Sequence, residues 1–299
     1  MTSPNAASQN RAGILYSLGA FLIWGFMPSA FGLVRDVPML ETLAHRTIWS
    51  FVFLAAIVVI FGRGGRLKAA LRSRRVMLVL LTTTTMLAVT WVVFVYAIQS
   101  ERQLYVSLGY YINPLISVLL GVFFLGEKLS RVQMLALLIA AAGVLNHSLT
   151  LGEFPWISLM LAVLFGLYGY VRKIAHVEAI EGLMIETGLL LPFAVAYMAY
   201  LFATDSMVFL TTDAGTAAML MFLGVFTAMP LMWFTEGARR LKLSTIGILQ
   251  FIAPTLHFIM AVFVWGETFT TTHLITFACI WAAVALYLAQ PIFFKRAKA

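Results

Sequence analysis

The segment from Ser107 to Glu127, SLGYYINPLISVLLGVFFLGE, is apolar over a length that crosses a bilayer, yet it carries Tyr110, Tyr111, Asn113 and Pro114 within it. A helix facing lipid on all sides is destabilised by an unpartnered amide and by a proline that leaves a carbonyl unpaired. Such a segment must turn part of its surface toward protein. The same design recurs 140 residues later, from Gly247 to Glu267. Leu104–Glu127 and Ser244–Glu267 share six identities in 24 ungapped positions, among them Pro114 with Pro254 and Gly126-Glu127 with Gly266-Glu267. The chain therefore contains an internal duplication.

Each membrane span needs about 20 apolar residues, and ten such runs can be traced: 13–34, 42–61, 76–98, 104–125, 131–149, 155–171, 182–202, 217–237, 244–265 and 272–294. With 62% hydrophobic and 11% charged residues and a mean hydropathy of +0.96, the chain lies far from soluble domains, where about a quarter of residues are charged. It reads as an all-α membrane protein. The connections are short, which leaves no room for a sizeable soluble domain. The polar first ten residues and the length of the run from Gly13 do not fit a cleaved secretory signal, so the first span is expected to remain as an anchor.

Lysine and arginine set the orientation, because short basic loops stay in the cytoplasm. With the N-terminus inside, 17 of the 20 basic residues fall on the cytoplasmic side, Arg172 and Lys173 among them. Arg35 and Arg102 fall outside, and Arg46 lies in a span. Both termini are thus expected in the cytoplasm. Five spans per repeat is an odd number, so the second repeat enters the membrane inverted relative to the first. The expected organisation is a cytoplasmic tail (1–12), a first five-helix repeat (13–150), a second, inverted five-helix repeat (151–294) and a basic cytoplasmic tail (295–299). Further matches at the same offset, Glu41 with Glu181 and Phe94 with Phe234, agree. Inverted repeats are the architecture of many secondary transporters, whose site lies at the repeat interface.

Tyr110, Asn113, Pro114, Ser117 and Gly121 follow helical spacing on one face, and their equivalents are Gln250, Ala253, Pro254, His257 and Ala261. Two such stripes can line a central cavity, with Tyr110, Asn113, Ser117, Gln250 and His257 as solute ligands. Alternatively they are packing stripes, since small and polar residues also hold membrane helices together. Pro114 and Pro254, with Pro28 and Pro230, are candidate helix breaks or hinges. Trp24, Trp91, Phe94, Tyr168 and Trp233 lie within spans rather than in interfacial belts and are candidates for cavity lining, although such aromatics more often pack.

A charge inside a span is costly enough to be a functional candidate. Arg46 and Glu186 stand at equivalent repeat positions, and inversion places them near opposite mouths of a core about 30 Å thick. They are therefore expected to be separate vestibule or gate charges. His45, beside Arg46, titrates near neutrality and is a candidate proton-coupling group; snorkelling and interfacial anchoring are the alternative for both. Glu127 and Glu267 are expected to sit at the N-terminus of the helix that follows each, where the dipole favours a carboxylate.

The net charge of +8 is scattered through loops rather than gathered on one surface, which argues against a nucleic-acid partner. The single cysteine, Cys279, excludes a disulfide framework and a Cys-based metal cluster. No Walker A, His-Glu-x-x-His or Gly-x-Ser-x-Gly motif occurs, so no catalytic residue, metal ligand or cofactor is assigned. Movement down a gradient, or coupling to a proton or ion gradient, remains as the energy source.

The segments ETLAHRTIWSF (41–51), SLGYYINPL (107–115), FLGEKL (124–129), YGYVRK (168–173), IETGLLLP (185–192) and RLKLSTIGILQFIAPTL (240–256) resemble the RarD-type permeases, in the EamA-type branch of the drug/metabolite transporter superfamily. The resemblance covers nearly the whole chain. It implies a ten-helix exporter fold of two inverted repeats in a bacterial inner membrane. It also implies a cavity lined by spans one, three, four, six, eight and nine, and outward movement of small metabolites, amino acids or drugs such as an amphenicol. The competing reading is a polytopic membrane protein that does not transport, either a lipid-modifying enzyme or an accessory sensor. An enzyme should show paired acids, a metal cluster or a nucleophile with its base, and none is convincing. The expected partners are a small-molecule substrate and the lipid bilayer; a homodimer is left open.

Overall fold

A computed structural model describes residues 4–100, 102–149, 154–264 and 270–293; Glu267 and the basic tail 295–299 lie outside them. The described residues form helices joined by short turns. They are α1 (Pro4–Gly32), α2 (Met39–Ile60), α3 (Gly64–Arg72), α4 (Arg74–Gln99), α5 (Gln103–Leu125), α6 (Arg131–Leu149) and α7 (Trp156–Ile174). After these come α8 (Ala179–Ala203), α9 (Ala214–Arg240), α10 (Leu243–Gln250), α11 (Ile252–Phe263) and α12 (Thr271–Phe293), with a 3-10 turn at Val208–Leu210 between α8 and α9. Among the described residues ten segments are long and apolar enough to cross a membrane; α10 and α11 together supply one of them, Leu243–Met260, and α3 is not among them. The chain is a polytopic membrane protein.

Local chemistry marks the helix ends. Pro38, with φ −52° and ψ 134°, directs the chain into α2. Gly126, at φ 64°, closes α5 in the left-handed conformation that side chains disfavour, and the Glu127 N–H returns to the Gly121 carbonyl at 3.0 Å. Ahead of α9, the Asp213 carboxylate accepts the Gly215 and Thr216 N–H groups and the Thr216 hydroxyl. The Thr216 hydroxyl, then its amide, hold that carboxyl below its ordinary range.

The helices assemble into two compact units, each drawing on both halves of the sequence: Met1–Val89 with Val171–Arg240, and Thr90–Tyr170 with Leu241–Ala299. In the first unit α9 packs on α1 and α2, and α8 packs on α2 and α3. Its core includes Leu54, Leu183, Ala228 and Met232, and, at α1 and α9, Ala30, Leu220 and Leu223. The backbones of α2 and α9 touch: the Ser50 hydroxyl donates to the Gly224 carbonyl at 2.8 Å, and a β-carbon at Gly224 would lie 2.4 Å from Trp49 Cβ. In the second unit α5 packs on α10 and α6, and α6 packs on α12 around Leu108, Tyr111, Ala140, Phe251 and Phe277.

Candidate functional site

Within the second unit α5 and α10 approach so closely that a β-carbon at Gly247 would lie 2.6 Å from the Pro114 carbonyl oxygen. This contact brings the two polar stripes together. The Ser117 hydroxyl donates to Gln250 Oε1 at 2.9 Å and lies 3.5 Å from Asn113 Oδ1. All three residues are buried. One turn away, Tyr110 meets His257 edge to face, with ring centroids 5.5 Å apart, and Tyr110 is 42% exposed. The stripe thus divides into a buried hydrogen-bonded interior and an accessible rim of phenol and imidazole. Amide, hydroxyl, phenol and imidazole together offer hydrogen-bond donors and acceptors beside an aromatic surface.

The helix breaks follow the prolines unevenly. α1, α5 and α9 run without interruption through Pro28, Pro114 and Pro230, so the expectation that Pro114 breaks its helix is corrected. Neighbouring turns keep such a helix intact where its surroundings satisfy the freed carbonyl. Near Pro254 the regular helix is interrupted at a single residue, Phe251, between α10 and α11, where the backbone keeps right-handed angles of φ −63° and ψ −13°. Pro254 leaves the carbonyl of Gln250, four residues earlier, without its helical partner, as Pro114 does that of Tyr110, so the proline alone does not account for the difference. The interruption stands directly beside the Gln250–Ser117 bond.

Glu127 stabilises a helix N-terminus, but not that of the helix that follows it. Its carboxylate accepts the N–H of Leu243 at 2.6 Å, the N–H of Ser244 at 2.9 Å and the Ser244 hydroxyl at 2.7 Å. It therefore caps α10, from which Gln250 projects. Sequence spacing pointed to the nearer helix; a partner 116 residues away leaves no local signal.

The candidate aromatics separate by unit. Trp91 and Phe94 pack edge to face at 5.4 Å, and Tyr168 is fully buried against Phe165 in the second unit. In the first, Trp24 packs with Phe21 and Phe234 at 5.8 and 5.6 Å, while the Trp233 ring lies over Gly19.

The charged candidates all belong to the first unit. Glu186 is buried on α8, accepts a hydrogen bond from the Thr83 hydroxyl and lies 3.8 Å from Arg172 Nε. Arg172 is fully buried and donates to the Ala179 carbonyl. It occupies the last turn of α7, inside the helix rather than in the connection after it. Nearby, Arg63 pairs with Glu178 and with the buried Glu181. On α2, Arg46 is buried, and the His45 ring stacks on Phe209 at 4.4 Å with neither nitrogen hydrogen-bonded to a described residue. Glu41, one turn before His45, accepts the N–H groups of Val208 and Phe209 at 3.2 and 2.8 Å. Among the described residues no group of three or more His, Cys, Asp or Glu side chains could hold a metal.

Residues 11–148 match the model of the EamA-like transporter family. The chain is 40% identical to "Uncharacterized transporter YojE" of Bacillus subtilis over 97% of its own length and 98% of the relative's. It is 40% identical to "Protein RarD" of Salmonella typhi, covering 98% and 99% of the two chains. The chain is a RarD-type member of the EamA-like transporter family. It thus belongs to the drug/metabolite transporter superfamily of small-molecule transporters. A RarD-type relative of Pseudomonas aeruginosa, "Chloramphenicol-sensitive protein RarD", is 32% identical over 92% of each chain. The fold matches a crystal structure at a TM-score of 0.71, with 18% identity and coverage of 97% and 99%.

Proposed function

We propose that this RarD-type protein exports a small organic solute by alternating access across a bacterial inner membrane, with both termini in the cytoplasm. The observation that carries the reading is the junction of α5 with α10 and α11. Segments 140 residues apart bring Asn113, Ser117 and Gln250 into one buried cluster, with Tyr110 and His257 at its accessible edge. An inverted repeat is supported by helices at equivalent positions packing on each other: α2 on α8, α5 on α10 and α6 on α12. The break at Phe251 allows α11 to pivot while Glu127 holds α10, as discontinuous helices do in other secondary transporters.

The solute is a metabolite with both polar and aromatic or apolar parts. Amino acids and amphenicols fit that description, and the name of the Pseudomonas relative favours testing the latter. A proton or ion gradient drives export, with His45 and Glu186 as the titratable candidates. The test is flux into proteoliposomes containing only this protein, across a panel of amino acids, amphenicols and other metabolites, with and without a pH gradient. At least one solute should move, and Tyr110→Ala, Asn113→Ala, Gln250→Ala and His257→Ala combined should abolish its movement. Unchanged flux in that variant overturns the site. Gradient-driven flux with its pH dependence intact in His45→Ala with Glu186→Gln overturns the coupling assignment.

A further inference from the structure

The connection between the second and third spans is a helix with two unlike faces. α3, GGRLKAALR, turns Ala70 and Leu67 inward against Val76, Met77, Val177 and Ile185. Its outer face carries Lys68 and Arg72, one helical turn apart, with Leu71 half-exposed between them, and Arg74 and Arg75 follow, both exposed. No acidic residue occurs between Glu41 and Glu101. The two remaining cations, Arg63 and Arg66, are already engaged by Glu178. α2 ends at Ile60 and α4 begins at Arg74, so α3 lies at a membrane face, where headgroups are within reach. Exposed Ile60, Phe61 and Leu78 flank it, which continues an apolar surface of the kind lipid covers up to the helix.

We propose that the outer face of α3, with Arg74 and Arg75, binds the headgroups of anionic phospholipids. Basic residues on a short amphipathic helix beside a span are attracted to an anionic leaflet, and guanidinium groups hold phosphate oxygens by two parallel hydrogen bonds. Orientation by the positive-inside rule needs only positive charge; a solvated face needs neither the half-exposed Leu71 nor a helix. Because α3 also packs on α8, lipid held there bears on the helix that carries Glu186. The proposal rests on membrane insertion alone and not on any transported solute.

The experiment places bimane on Ala69→Cys, an exposed α3 position, in a Cys279→Ser background. The protein is reconstituted into phosphatidylcholine vesicles containing either brominated phosphatidylglycerol or brominated phosphatidylcholine. Phosphatidylglycerol should associate several-fold more strongly at low ionic strength. The preference should fall measurably in Arg72→Gln alone and reach unity in Lys68→Gln/Arg72→Gln/Arg74→Gln/Arg75→Gln, because each basic residue near the surface adds to the attraction. Equal quenching by the two lipids overturns the proposal, as does a preference that survives the fourfold variant. Displacement by inorganic phosphate at constant ionic strength also overturns it, since the ligand would then be a free anion.

Discussion

The two units bury polarity in opposite ways. The first buries charge: Arg172 with Glu186, Arg63 with Glu181, and Glu41 on two backbone amides. The second buries neutral groups, Asn113, Ser117 and Gln250, next to an edge of exposed Tyr110 and half-buried His257. The difference is energetic. A buried ion is too costly to leave unpaired, so charged partners are held in fixed geometry. Neutral amides and hydroxyls lose about 1 kcal/mol per exchanged hydrogen bond and can trade a protein partner for a solute. The first unit's buried charges are thus held in place by their partners, whereas under the proposed function the second unit's amides are the groups that exchange partners with a solute.

The sharpest way to break that contrast is Arg172→Met, which removes the buried cation beside Glu186. It should cost about 3–5 kcal/mol, read as a lowered thermal midpoint in detergent, whereas Arg172→Met with Glu186→Met should recover most of the loss. Equal losses in the single and double variants would mean that the pair is not what holds these residues.

Gly247→Ala is next, at about 1–3 kcal/mol, because the added methyl meets a backbone carbonyl 2.6 Å away that cannot rotate aside. Flux should fall with stability, since Gln250 is pushed from Ser117.

Glu127→Gln keeps the shape of the cap but removes its charge, costing about 1–2 kcal/mol. Its diagnostic readout is solute affinity: a change in KM beyond that of an equally destabilised variant outside the site indicates that Glu127 positions α10.

The smallest thermal effect belongs to Tyr110→Phe with His257→Ala, within about 0.5 kcal/mol for accessible side chains. Yet flux should fall at least about ten-fold, which corresponds to 1.4 kcal/mol of transition-state stabilisation. If instead thermal stability collapses while flux per folded molecule persists, this edge is packing and the contrast between the units fails.

Much of the architecture was legible in local patterns. Ten apolar runs became ten candidate spans because burying the backbone in lipid demands continuous helices, a constraint visible in composition alone. The pairing of Ser117 with Gln250 was foreshadowed by two polar stripes at one offset. Arg172 was not legible: a basic residue near the end of an apolar run reads as a loop cation until Glu186 is known to face it. Glu127 showed a capping chemistry but not which helix it caps, and the prolines at equivalent positions, Pro114 and Pro254, did not disclose that α5 stays whole where α10 and α11 are separated at Phe251.

The sequence by itself determined the membrane class, the number of candidate spans and the 140-residue offset at which similar segments recur, since these depend on hydropathy and residue pattern along the chain. Only the tertiary structure decided which buried groups meet. It joined Glu127 to α10, Glu186 to Arg172 and Thr83, and Glu41 to Val208 and Phe209. Such partners lie far apart in sequence, and nothing in the periodicity of one helix specifies which face of another will satisfy its charges.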